Sequence, residues 1–204
     1  MTDIFIVRHG NTFDKGDIVT RVGARTDLAL SKSGQAQAER LAIHFRDIVP
    51  GGFDAAFCSE LQRTRQTAEA ILAAYKERPN LEVLDFLREV DYGPDENQPE
   101  DQVIARVGEA ALQAWDQDAV PPPGWHVSPD QLIAEWTSLL NALSGPQQFP
   151  PVLIVTSNGI ARFVLDAVTK VQRSPESIKL KTGAYGRIRT GKDGATLMDW
   201  NVRP

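Results

Sequence analysis

The apolar run Ile4-Phe5-Ile6-Val7 ends in Arg8-His9-Gly10-Asn11-Thr12, so a guanidinium and an imidazole stand together where a buried stretch meets a polar turn. Histidine is the side chain best suited to proton transfer or nucleophilic work near neutral pH. Three similar junctions follow. The run Phe53–Cys58 gives way to Ser59 and then Arg63, Leu81–Phe86 to Arg88 and Glu89, and Val152–Val155 to Thr156, Ser157, Asn158 and Gly159. Two arginines, a histidine, a carboxylate and the starts of helices make a candidate oxyanion site. The planar fork of arginine binds two phosphate oxygens at once. Helix N-termini add backbone N–H groups and partial positive charge.

For these groups to meet, the runs that carry them must be strands whose carboxyl ends share one edge, where open α/β sheets bind ligands. The pattern supports this. Ala38, Leu41, Ala42, Phe45 and Ile48 have helical spacing, and Pro50-Gly51-Gly52 ends that helix. Leu61, Thr64, Ala68, Ile71, Leu72 and Tyr75 mark a second helix, and Val103, Ile104, Val107, Ala111, Ala114 and Trp115 another. Ser128-Pro129-Asp130-Gln131 reads as a capping-box start with proline at the first helical position. A last helix carries Ile160, Phe163, Val164, Ala167 and Val168 on one stripe, and Ala184–Val202 reads as a hairpin around Lys192-Asp193-Gly194. Strand–helix alternation with continuous apolar strands implies one α/β domain over residues 1–204, a mainly parallel sheet with helices on both faces. Residues from about 91 to 150 form an irregular, partly helical insertion.

The chain of 204 residues, 42% hydrophobic and 24% charged, suits a single full-sized core. A net charge of -5 argues against a nucleic-acid partner. No apolar run approaches the ~20 residues that span a bilayer, and MTDIFIVRHG enters a strand with no basic leader, so a cytoplasmic protein with no membrane partner is expected. The single cysteine, Cys58, excludes an internal disulfide and a cysteine-based zinc cluster, and reads as a packing residue.

Taken together, the motifs resemble those of the histidine phosphatase superfamily, which includes the cofactor-dependent phosphoglycerate mutases. RHGNT is similar to the family's Arg-His-Gly motif, SELQRTRQTA to its Ser-x-Leu-x-Arg element, LREVDYG to its Leu-x-Glu segment, and VTSNGIAR to its Ser-His-Gly-Gly stretch. TDLALSKSGQAQA resembles the segment that follows the first motif. The resemblance implies a phosphoglycerate mutase-like fold, with His9 as the phosphoryl-accepting nucleophile, Arg8 and Arg63 as phosphate clamps and Glu89 as the general acid. Asn11, Ser157 and Asn158 join them as phosphate-binding candidates. No cofactor and no metal are implied.

Two positions depart from the pattern. Ser157 stands where the family carries its second histidine, with Asn158 in place of the first glycine, and Lys15 takes the place of the family's asparagine after the first motif. Serine donates one hydrogen bond but brings no charge, and losing one preorganised donor from an oxyanion site typically costs ~10²–10³ in rate. Ser157 also reads as a simple N-cap. His44 reads as a helix-surface residue, and His126 as a loop residue with the option of folding over the site. The acidic run from Glu89 to Asp101 reads as a solvated loop, with Asp91 as a fallback acid. Lys15, Arg21 and Arg25 could steer anionic substrates. The expectation is a phosphomonoesterase that passes through a phosphohistidine and acts on a small phosphorylated substrate, with a homodimer possible. The alternative is a degenerate member that binds a phospholigand without turning it over, and a mutase is a weaker option.

Overall fold

The computed structural model describes residues 1–144 and 151–204. The elements run β1 (Thr2–Arg8), α1 (Lys32–Ile48), β2 (Ala55–Cys58), α2 (Gln62–Leu72), β3 (Leu81–Val83), α3 (Glu100–Val107), α4 (Glu109–Asp118), α5 (Pro129–Ala142), β4 (Val152–Thr156), α6 (Asn158–Ala161), α7 (Val164–Ala167), β5 (Lys170–Val171), β6 (Tyr185–Gly191) and β7 (Gly194–Val202). Seven strands form one sheet in the order β3-β2-β4-β1-β6-β7-β5. The β3-β2, β2-β4, β4-β1 and β7-β5 pairs are parallel, while β6 runs antiparallel to β1 and to β7. This is the expected mainly parallel α/β sheet, and the hairpin turns at Lys192-Asp193 as read.

Strand alternation sends successive side chains to opposite faces. Phe5 and Val7 pack against α1 and α2 with Leu41, Phe45, Ala68 and Ile71, whereas Ile4 and Ile6 pack on the other face with Trp136, Ile160 and Phe163. Burying a side chain such as Phe45, which is 0% exposed, is worth about 1.5–3 kcal/mol. His44 joins the first layer: its Nε2 lies 3.0 Å from the Tyr185 hydroxyl, which gives it a structural partner. Cys58 is fully buried, and burial pushes its thiol up to about 11, as fits a packing residue.

Several local expectations are corrected. The third strand is only Leu81–Val83, because it lies at the sheet edge and Asp85–Leu87 turns into a 3-10 helix. Ser128 does precede α5 with Pro129 at its start, but makes no side-chain capping bond. The last helix divides into α6 and α7, because i→i−3 bonds such as Phe163 N to Ile160 O (3.2 Å) and Leu165 N to Arg162 O (3.2 Å) break the α ladder. The strand Lys170–Val171 had no sequence signal. The insertion contributes α3, α4 and α5, and its last residues, 145–150, lie outside the described residues.

The acidic run is not a solvated loop. Asp95, 1% exposed, pairs with Arg106 and accepts from Trp125 Nε1 at 2.6 Å. Glu96 accepts from the backbone N–H groups of Gly23 and Arg25, each at 3.0 Å, and from the Thr26 hydroxyl at 2.7 Å. Glu96 staples the loop after β1 to the insertion and Asp95 ties the insertion to itself, and buried charge is tolerated only when paired in this way.

Candidate functional site

The site forms at the carboxyl ends of β1 and β4, which pair in register with Arg8 opposite Thr156. His9 N–H donates to Thr156 O at 3.1 Å, so the first and last motifs are joined by the sheet ladder itself. Gly10 is required by close approach: a Cβ there would lie 2.4 Å from Gly34 O at the start of α1. The helix is anchored by Ser31, whose Oγ accepts from Gly34 N at 3.2 Å. Thr156 Oγ1 donates to Leu87 O at 2.7 Å and so fixes the segment that delivers Glu89.

His9 is 7% exposed. Its Nδ1 lies 2.7 Å from Gly10 O. A carbonyl only accepts, so Nδ1 carries the proton and Nε2 the free lone pair. Burial, then the charges of Arg63 and Arg8, hold the ring well below the usual histidine range, so it stays neutral at physiological pH. A cavity of about 530 Å³ opens over it, walled by Arg8, Asn11, Arg21, Glu89, Tyr92, Trp115 and Asn158 among others.

The guanidinium groups are anchored but not satisfied. Arg8 Nη1 donates to Leu180 O at 2.8 Å, and its Nε has no partner among the described residues. Arg63 is fully buried; its Nη1 and Nη2 donate to Thr26 O (2.8 Å) and Gly23 O (3.1 Å), and among the described residues its Nε has no partner. Arg63 is not among the cavity walls. Burial works against the charge on both arginines, and the Glu89 carboxylate supports it.

Glu89 is 6% exposed, and its Oε1 and Oε2 accept from Val90 N (3.0 Å) and Gly159 N (3.3 Å). Gly159 has no room for a side chain, since a Cβ would lie 2.2 Å from Glu89 Oε1. Ser157 sits at the N-cap position of α6 but makes no capping bond; it is fully buried and its Oγ meets no partner among the described residues. Asn158 Oδ1 accepts from Leu180 N at 2.8 Å, which leaves its amide NH₂ at the cavity wall. Asn11 lines the cavity with Nδ2 bonded to Ser33 Oγ at 3.1 Å.

Other candidates lie elsewhere. The His126 side chain is 72% exposed and its Nδ1 lies 3.3 Å from Asp91 Oδ2; it walls a different cavity on the far side of Glu89. Asp91 pairs with Arg25 as well, and is not in the His9 cavity. Burial pushes its carboxyl up, but the Gly93 N–H, His126 and Arg25 outweigh this and hold it low, which suits a staple better than an acid. Arg88 pairs with Glu60, Ser59 bonds Thr64, and Lys15 is exposed away from the walls. Of the three steering candidates only Arg21 reaches the cavity, held to Glu100 at 2.6 Å with its guanidinium over Trp125 and Tyr92.

Sequence reasoning passed over Arg162, Tyr92 and Trp115. Arg162 is 1% exposed, lies 4.1 Å over the Trp115 ring, donates to Trp115 O and Asn158 O, and has no partner for Nη2 among the described residues. The one available signal was an arginine inside the apolar run Ile160–Leu165, where a helix stripe offers it no solvent.

No curated protein matches the chain in sequence. Solved structures do match in fold. An alpha-ribazole phosphatase from Shigella flexneri matches with a TM-score of 0.73 and 21% identity, covering 99% of this chain and 97% of that one. Phosphoserine phosphatase from Entamoeba histolytica, in complex with 3-phosphoglyceric acid, gives 0.73, 18%, 99% and 98%. A mycobacterial glucosyl-3-phosphoglycerate phosphatase complexed with VO3 gives 0.77, 18%, 99% and 100%. The model of the histidine phosphatase superfamily (branch 1) matches residues 4–203, so the chain belongs to that superfamily.

Proposed function

We propose that the protein is a metal-independent phosphomonoesterase acting through a phosphohistidine on His9. The observation that carries this is the setting of His9: buried at the floor of a cavity that Arg8 and Glu89 also line, with Nδ1–H on Gly10 O so that Nε2 carries the lone pair, while burial and the charges of Arg63 and Arg8 keep the ring neutral. Nε2 attacks phosphorus as the bond to the leaving oxygen breaks, and Glu89, protonated when substrate binds, gives that oxygen its proton and is left as the carboxylate. Water then attacks the phosphohistidine, Glu89 takes the proton back, and inorganic phosphate leaves. Arg8 gathers charge on the phosphoryl oxygens from the cavity wall, with Asn158 NH₂ and Asn11 beside it. Arg63 acts differently from a simple clamp: it fixes the loop at Gly23–Thr26, and its charge adds to the burial that keeps His9 neutral. The phosphatases among the similar structures support a small phosphomonoester as substrate.

A second reading, a phospholigand binder, is favoured by one observation: Ser157 is buried, uncharged and unpartnered where the family places an imidazole. A screen of phosphomonoesters against wild type and His9→Ala separates the two. Turnover that depends on His9 supports the enzyme, and tight phosphate binding without turnover supports the binder.

A further inference from the structure

Ser157 brings no charge to the place where an imidazole is expected, yet the site is not poor in positive charge. Arg63 and Arg162 are among the largest fully buried side chains of the molecule, at 0% and 1% exposure. A buried guanidinium normally has its nitrogens paired, because an uncompensated one is costly. Among the described residues Arg162 breaks this habit at Nη2, as Arg8 and Arg63 do at Nε, and Ser157 Oγ likewise meets no partner. Arg8, Arg63 and Arg162 all act on Glu89, and these three guanidinium groups leave two positive charges when Glu89 is ionised and three when it carries the proton it donates. A phosphomonoester near neutral pH carries ≈ −1.5 to −2.

Arg162 is wired to the phosphate-facing groups. Its Nε donates to Asn158 O at 3.3 Å, Leu180 N donates to Asn158 Oδ1 at 2.8 Å, and Arg8 Nη1 donates to Leu180 O at 2.8 Å. The circuit therefore joins Arg162 to Arg8 through two residues. Arg162 lies behind Trp115 and Asn158, both of which wall the cavity. Charge in a dry interior is felt over several ångströms far more strongly than in water.

On the reading of the site as a phosphatase, we infer that Arg162 is the positioning residue that makes good the charge missing at Ser157: it holds Arg8 and Asn158 in place and adds a positive field behind the wall. Loss of its charge should raise KM for a phosphomonoester and weaken inhibition by inorganic phosphate, besides lowering kcat. Arg162→Gln keeps a donor for Trp115 O but loses the charge, whereas Arg162→Lys keeps the charge and loses the fork. The expected result is a fall in kcat/KM on the order of 10² for Arg162→Gln, with Arg162→Lys recovering at least roughly tenfold of it. A folded Arg162→Gln within about threefold of wild type, or equal damage in both variants, overturns the inference.

A measurement on wild type decides the matter even if both variants misfold. With isotope-labelled arginine side chains, inorganic phosphate should shift the guanidinium resonances of Arg162 together with those of Arg8. Movement of Arg8 without Arg162 removes this inference and leaves the phosphatase reading intact. No movement at either residue contradicts both.

Discussion

Gly159→Ala isolates the positioning of the general acid. An alanine Cβ would stand 2.2 Å from Glu89 Oε1, 3.1 Å from its Cδ and 3.2 Å from Val90 Cγ2. Ordinary van der Waals contact begins near 3.4 Å, so the carboxylate must retreat by roughly 1 Å. It also loses its alignment with the Gly159 N–H, which it now accepts at 3.3 Å. A misplacement of about 1 Å can cost ~10² in rate, inside the ~10²–10⁴ attributed to a positioned acid. Stability should fall by about 1–3 kcal/mol as well, because Glu89 is buried and its carboxylate loses the Gly159 N–H, so the two leaving groups and not the melting temperature carry the test. The assay is kcat on an alkyl phosphomonoester and on a nitrophenyl phosphate, with thermal melting alongside. The alkyl leaving group needs a proton and should lose about 10²; the nitrophenolate needs little help and should lose far less. Equal rates for wild type and variant on the alkyl ester, or equal losses on both substrates, would refute the role given to Glu89.

Arg63→Gln should move the acidic limb of the kcat/KM profile toward neutrality. Burial depresses His9 first and the Arg63 charge second, so removing that charge lets the ring protonate, and lose its nucleophilic lone pair, at a higher pH; the ordinary value of 6.5 is the upper bound. A limb that stays put or moves to lower pH contradicts this. Ser157→His should lower stability by about 1–3 kcal/mol through overpacking of a fully buried position, with kcat rising less than roughly tenfold, because the charge it offers is already supplied by Arg162; melting and steady-state kinetics check both parts. Activity should survive EDTA, since among the described residues no group of three or more His, Cys, Asp or Glu could hold a metal; loss in chelator with recovery on adding Mg²⁺ contradicts it.

Strands β1 and β4 were legible because buried parallel strands read as unbroken apolar runs, and their ends carry Arg8, His9, Asn11 and Asn158, which line one cavity; the short edge strand β3 and the partners of Ser59 and Arg88 were not. Ser157 was legible as a departure, because the motif around it is local in sequence. What could not be read was how charges are used. The carboxylates at Asp95 and Glu96 looked like solvent-facing acids, yet their partners, Arg106, Trp125 and the backbone at Gly23 and Arg25, lie on other segments. Arg63 carried the right residue type, but its terminal nitrogens go to backbone carbonyls that only the folded loop brings near. Arg162 gave almost no signal, since a periodicity argument has no place for a cation on a buried stripe.

The central claim is the covalent intermediate on His9, and rapid quenching tests it most directly. Wild-type protein mixed with a ³²P-labelled phosphomonoester and quenched within the first turnover should hold acid-labile, base-stable label, and mass spectrometry should place it on His9. His9→Ala should take up none and should turn over no substrate while melting as a folded protein. Turnover by wild type with no trapped label, label on another residue, or undiminished activity in His9→Ala would contradict the account.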